Sequence, residues 1–472
     1  MPLSRTERVL RLFTDVRAGE GPTALLMFAN VFLILCAYYF IKPLREGWIA
    51  VSGIEALTKM EVKAYSSFAQ SVLLLGVIAG YARLVDRFDR RTVITRATLF
   101  CMSNMVVFWA LQPDFFFRNL PGTGIVFYLW VGIFGVFVVA QFWAFAADLY
   151  TEEQGRRLIP LVAIGATAGA AAGSWITESL IAGPWVPTEQ LLLIALVPLA
   201  ASIALTHLAD GRTPRTAEAI ANAAVPPGPS IGAQRGALRM IVRHRYLLAV
   251  AGVTLLLNWV NTNGENLLFR VVQQALEDEA RAGGVTEAAA ILRFTRDGTT
   301  AFYGNFFFWV NTVALLLQAL VASRLLKYGG FGPVLLMLPV VALTSYTAMA
   351  LLPILAIVKV MKIAENATDY SINNTARSVL WLPLPAAVKY KGKPAVDTLF
   401  ARLGDGLAAL TVLVGVQFLA LQTATFFAFN VVLVLVWLVL GVVVVRHYGR
   451  LRARSGGAVT STPPRPARAR AR

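Results

Sequence analysis

Residues 22–42 read PTALLMFANVFLILCAYYFIK. A helix of about 20 such residues reaches across the ~30 Å hydrocarbon core of a bilayer. In water it would have no polar face to expose. Comparable stretches recur at 63–85, 92–112, 123–147, 158–182 and 189–207, and again at 246–270, 301–326, 333–352, 354–381, 394–421 and 424–445. The pattern predicts an all-α membrane protein of about twelve transmembrane helices in two six-helix halves. Composition agrees: 57% of residues are hydrophobic and 15% charged, with a mean hydropathy of +0.64.

The remaining segments divide the chain. Residues 1–21 are basic, with Val9, Leu12, Phe13 and Val16 on one helical face, as in a short helix lying on a membrane surface. Residues 208–245 form a linker rich in Ala, Pro, Gly and Arg between a 22–207 bundle and a 246–445 bundle. Residues 446–472 are a basic, Pro/Arg-rich tail. The net charge of +17 lies in loops and ends rather than on a folded basic face, which argues against nucleic acid as a partner. Arg83, Arg87, Arg90, Arg91, Arg96, Arg156, Arg157, Arg324, Lys327 and Lys389 fall on one side with both ends of the chain, whereas Lys59, Lys63, Arg118 and Arg281 are sparse on the other. The positive-inside rule then places both termini and the linker in the cytoplasm. The longer opposite segment, 271–300, reads as a small extracytoplasmic helix or hairpin.

Function is expected where the apolar rule fails, because a charge inside a membrane costs at least a few kcal/mol unless it faces a cavity or a partner. In the first span, Lys42, Pro43, Arg45 and Glu46 are adjacent. Pro43 bends or breaks a helix, so this is an interfacial helix end or a broken helix presenting cations to an anion. In the tenth span Lys359, Lys362, Asn366, Asp369 and Asn373 recur every three or four residues beside Glu365. They line one helix face, as an ion-pair network or as a cavity wall. The seventh span carries Asn258, Asn261, Glu265 and Asn266, suited to gluing helices or to lining a site. Arg402 and Asp405 are spaced to pair with each other. Gly165, Gly169 and Gly173 repeat every fourth residue, for close packing or for sliding.

Asp148 and Asp369 end corresponding spans of the two halves, each followed by arginines (Arg156 and Arg157; Arg377) and a proline. Repeated halves around a midplane site are a common plan of secondary transporters. Cys36 and Cys101 offer no disulfide framework, and His207, His244 and His447 no metal spacing. No phosphate-binding loop of an NTPase is present. No cofactor and no enzymatic activity are expected.

The loop from Asp86 to Arg91, DRFDRR, looks like the signature of the major facilitator superfamily, with Asp89 in place of a glycine and Ala82 where an upstream glycine is expected. More specific stretches resemble the nucleotide (ATP/ADP) translocase family, a divergent branch of that superfamily. They are YYFIKPLRE (38–46), QFWAFAADLYTEEQGRRLIP (141–160), 302–339 with its FYGNFFFW start, TDYSINNTARSVLWLP (368–383) and AVDTLFARLGDG (395–406). The Lys-Pro-Leu-Arg-Glu pattern departs from the family's Lys-Asp pattern and looks more like a bacterial side branch.

The resemblance implies a carrier of nucleotides or a related anionic metabolite, and it matches Lys42 to the family's substrate-contacting lysine. The expected substrate-binding set is Lys42, Arg45, Glu46, Asn258, Asn261, Glu265, Lys359, Lys362, Asn366, Asp369 and Asn373. The expected coupling or gating set is Asp86, Arg90, Asp148, Arg156, Glu365, Arg377, Arg402 and Asp405. The expected setting is a bacterial inner membrane, with a small anionic substrate and lipid as partners and a monomeric chain. A proton-coupled carrier of a small organic solute, or a non-transporting scaffold or sensor, are the alternatives.

Overall fold

The structure, a computed structural model, describes residues 5–11, 14–85, 90–112, 122–183, 186–212 and 238–459. Twelve long helices are present among them: α1 (Gly21–Ala50), α2 (Lys59–Val85), α3 (Arg90–Ala110), α4 (Thr123–Leu149), α5 (Glu152–Ala182), α6 (Leu196–Arg212), α7 (Arg245–Ala282), α8 (Ala288–Leu317), α9 (Phe331–Leu351), α10 (Leu355–Thr368), α11 (Ala401–Leu413) and α12 (Thr423–Val459). Among the described residues, ten helical segments are long and apolar enough to cross a membrane. The charged α10 continues through a widened π turn, Asp369–Asn373, into Asn374–Val379. The helix is the only open-ended element that satisfies its own backbone in lipid, and the sequence uses it throughout.

The buried apolar side chains fall into two clusters. One joins α1 and α3–α6; the other is built mainly from α7–α12. Gly165, Gly169 and Gly173 of α5 sit directly against the backbone of Phe28, Phe32 and Cys36 in α1, and a Cβ at Gly173 would lie 2.6 Å from the Cys36 carbonyl oxygen. The glycine stripe is therefore a tight α1–α5 crossing. The halves meet where α1 and α5 pack on α8 and where α2 packs on α7 and α11.

Three expectations need correction. Pro43 does not break the first helix, since α1 runs unbroken from Gly21 to Ala50. Proline removes the N–H that would have bonded the carbonyl four residues back, that of Tyr39. Thr177 of α5 donates its hydroxyl to that carbonyl at 3.2 Å, a repair by a neighbouring helix. Thr177→Val is expected to leave the carbonyl buried and unpaired, costing about 1–3 kcal/mol of stability. Thermal unfolding in detergent checks this, with Thr177→Ser retaining the wild-type transition.

The 271–300 segment is not a separate small element: α7 continues to Ala282 and α8 begins at Ala288, so it is the projecting ends of two long helices. The amino-terminal segment is helical only over Arg5–Leu10. It then folds back, with the Glu7 carboxylate accepting from the Gly19 N–H at 2.7 Å and Val16 fully buried. Leu12, Phe13, the linker residues 213–237, the tail residues 460–472 and Asp86 lie outside the described residues.

Polar ties between the halves cluster toward the end where α1 finishes and α2 starts. Gln417 donates to Glu61 at 2.7 Å, and Lys59 pairs with Glu277 at 2.7 Å. Arg296 pairs with Glu189 at 3.0 Å. Deeper along the same seam, Ser71 donates to Asp405 at 2.8 Å. At the opposite end Arg157–Glu20 (2.7 Å), Arg91–Asp210 (3.6 Å) and Arg377–Asp397 (3.2 Å) each join residues of a single half. The hydrogen bonds from Arg157 hold the Glu20 carboxyl below the usual carboxylate range.

Candidate functional site

Charged side chains of α1, α2, α7 and α10 meet between the halves. By the 1.5 Å rise per residue, Lys42 lies about 30 Å along α1, and Arg45 and Glu46 follow within one more turn. Glu46, 2% exposed, accepts from Arg45 Nε at 3.1 Å and pairs with Lys63 Nζ of α2 at 2.8 Å. The Arg45 guanidinium also sits 4.4 Å from the centroid of the Tyr128 ring. Lys63 is a further correction: it is not a loop cation but a buried one, 4.5 Å from the Phe269 ring. The sequence signal for it is slight, a lysine in the first turns of an apolar span.

A second group joins α7 to α10. Lys362 is fully buried. Its Nζ lies 2.8 Å from Glu365 and 3.4 Å from Glu265, and 3.5 Å from the Asn261 amide oxygen. Asn366 donates to Glu265 at 2.8 Å, and Tyr346 of α9 donates to Glu365 at 3.0 Å. Gly264 makes the room: a Cβ there would stand 2.8 Å from Lys362 Nζ and would collide with the Tyr346 hydroxyl. The four- and three-residue spacing of Lys362, Glu365 and Asn366 puts them on the α10 face toward α7. Tyr346 carried no signal in the sequence, because a tyrosine in an apolar span reads as core.

Two cations differ from these. Among the described residues, Lys42 and Lys359 have no carboxylate within ion-pairing distance. Lys42 Nζ lies 3.8 Å from the Phe307 ring centroid, 5.0 Å from that of Tyr39 and 5.9 Å from that of Tyr38. Lys359 Nζ lies 5.5 Å from the centroid of the Phe302 ring. Both side chains are partly exposed. An aromatic face stabilises a cation by about 0.5–2 kcal/mol, so the rings hold these charges without neutralising them. Lys42 still shares a field with Glu46, Lys63 and Glu265, so the two groups form one electrostatic unit.

The other sequence-derived residues lie apart from this centre. Asn258 donates to the Thr254 carbonyl of its own helix at 2.8 Å and packs where Gly404 of α11 crosses α7. Asn373 donates to Asp369 at 2.6 Å. Arg402 and Asp405 pair at 2.9 Å, and Thr262 also donates to Asp405 at 2.8 Å, so this pair sits on the α2–α7–α11 seam. Asp148 is the penultimate residue of α4, Arg90 opens α3, and Arg156 lies in the second turn of α5.

The family model described as TLC ATP/ADP transporter matches residues 335–448. The chain is 22% identical to ADP,ATP carrier protein 1 of Chlamydia trachomatis serovar D, over 84% of this chain and 82% of that protein. It is 36% identical to ADP,ATP carrier protein 5 of Rickettsia bellii over 78 residues, which spans only 15% of that protein. An alignment to ADP,ATP carrier protein 1 of Chlamydia pneumoniae, at 29% identity, covers 25% of it. Among solved structures, an auto-inhibited POT family peptide transporter superposes with a TM-score of 0.61 at 13% identity, over 90% of this chain and 97% of that one. The nucleoside transporter NupG superposes at 0.55 and 12%, over 89% and 98%. These likenesses place the twelve helices in the major facilitator fold, and the family match at α9–α12 together with the 22% identity to the chlamydial carrier makes the chain similar to the TLC ATP/ADP transporter family.

Proposed function

We propose that the protein is a secondary active transporter that moves nucleotides, or a closely related phosphorylated metabolite, by alternating access, with ATP:ADP antiport as its specific reaction. The observation that carries this reading is the uncompensated charge of Lys42, with Lys359, in a cleft whose other inner cations are paired. A lone cation in a low-dielectric site attracts an anion more strongly than it would in water. The names of the bacterial relatives, ADP,ATP carriers, support the nucleotide.

In this reading Lys42 and Lys359 take the phosphates, while Glu265 and Glu365 hold Lys362, and Glu46 holds Arg45 and Lys63, between transport cycles. The residue bundles 22–207 and 246–445 rock about the site, joined by the 208–245 linker. The ties among Glu61, Gln417, Lys59 and Glu277 are the gate closed in this conformation. The seam residues Arg402 and Asp405 couple the halves, with Asp86, Arg90, Asp148, Arg156 and Arg377 acting near the other end. The protein works as a monomer in the lipid of a bacterial inner membrane, both termini cytoplasmic, with no resident cofactor and no enzymatic step. Thr14 and Asp15 tie the amino-terminal segment to Arg157 of α5, and the tail 446–472 stays cytoplasmic.

The test is uptake of labelled ATP by vesicles that contain the purified protein and are preloaded with ADP, then with other nucleotides. Uptake that depends on internal ADP supports the antiporter. No uptake and no counter-exchange with any nucleotide overturns it. Uptake of another solute driven by a proton gradient, without nucleotide competition, would favour the proton-coupled carrier, for which the buried carboxylates Glu265 and Glu365 are available.

A further inference from the structure

We propose that Tyr370 is the platform on which the ring system of the transported nucleotide stacks, an assignment that rests on the nucleotide reading above. Tyr370 is 42% exposed although it lies in the middle of the tenth helical rod. Among the described residues its hydroxyl has no hydrogen-bond partner and its ring no aromatic neighbour.

The neighbours of Tyr370 point its exposed face toward the cleft. Asn366 stands one turn before Tyr370, on the α10 face toward α7. Asn366 on that face bonds Glu265 at 2.8 Å, across the space between α7 and α10. Tyr38, Tyr39 and Glu265 are near enough to act electrostatically on the Tyr370 hydroxyl.

The local backbone is built for this placement. Tyr370 is the second residue of the widened turn Asp369–Asn373. Single π turns inside α-helices recur at functional sites because the added residue changes the direction of the side chains around it. Here the turn packs on α8 and α9, which anchors it while Tyr370 projects. Asp369 is occupied by Asn373 at 2.6 Å, so the acidic group beside the ring is held by an amide.

The arrangement also orders the two ends of a ligand. Lys42 lies one turn beyond Tyr38 on α1. In this assignment a base resting on Tyr370 directs its phosphates toward the ammonium of Lys42. Every base has a π face, so stacking gives affinity for a nucleobase with little preference among bases. Choice between purines and pyrimidines would come from elsewhere in the cleft.

The experiment is calorimetric titration of the purified protein with ATP and with inorganic tripolyphosphate, which has the anionic end and no ring. Tyr370→Ala is expected to weaken ATP binding by roughly ten- to a hundredfold, the range seen when a stacked aromatic is removed. Its tripolyphosphate affinity should stay within about twofold, a difference too small to reflect a lost contact. Tyr370→Phe should retain both. An alanine variant that binds ATP as the wild type does, or that loses tripolyphosphate in equal proportion, overturns the platform. A wild-type protein that binds tripolyphosphate but no nucleotide overturns the nucleotide reading itself, and the platform with it.

Discussion

Replacing Lys42 with alanine is expected to abolish most nucleotide uptake while leaving the fold intact. A unit-charge contact at ~4 Å in an effective dielectric of ~20 is worth about 4 kcal/mol, or roughly a thousandfold in affinity. Imperfect contact and residual attraction from Lys359 reduce this, so a loss of at least about a hundredfold in uptake at low substrate is the expected result. Stability should change little, because Lys42 surrenders only its contacts with Phe307, Tyr39 and Tyr38 and orphans no carboxylate. Lys42→Arg keeps the charge but replaces a compact ammonium with a planar fork, and should retain part of the activity. Initial rates in vesicles, read beside melting temperatures, separate the two effects. Wild-type uptake by Lys42→Ala would remove Lys42 from the site.

Lys362→Met is expected to do the reverse, failing first in stability. Lys362 is buried between Glu365 at 2.8 Å and Glu265 at 3.4 Å. Its removal leaves Glu365 and Glu265 without the cation they share. Breaking a buried ion pair by deleting one partner costs about 3–5 kcal/mol, enough to lower the melting temperature by several degrees or to prevent accumulation of folded protein. The double variant Lys362→Met/Glu365→Gln removes one of the stranded charges and should recover at least about 1 kcal/mol of that loss, since neighbouring substitutions in one network are not additive. A single variant that melts at the wild-type temperature would show that the network contributes little to the fold. One that folds poorly, with no recovery in the double variant, would trace the loss to packing instead of charge.

The contrast between these two lysines shows how far the sequence reaches. Both are cations in apolar spans, and the cost of a charge in lipid marks both as exceptional. The three- and four-residue spacing of Lys359, Lys362, Asn366 and Asp369 identifies a single polar face of α10. It does not reveal that Lys362 meets Glu265 from α7, or that Lys359 meets the Phe302 ring. Arg402 and Asp405 are legible as a pair because both lie on one helix. Ser71 and Thr262, which complete their hydrogen bonding, come from α2 and α7 and carry no local mark.

By itself the sequence determined the membrane, the twelve helices, the two halves and the helices that carry charge. All of these follow from apolar length and from a 3.6-residue period, which are properties of one segment at a time. Tertiary structure alone decided that Pro43 leaves α1 continuous, that Lys63 is buried against Glu46, and that Lys42, among the described residues, meets aromatic rings and no carboxylate. Each of these depends on the rotation and depth of one helix relative to another. That relation depends on packing between helices, such as the α1–α5 crossing at Gly165, Gly169 and Gly173 and the room that Gly264 leaves for Lys362 and Tyr346, and the pattern of a single helix does not encode it.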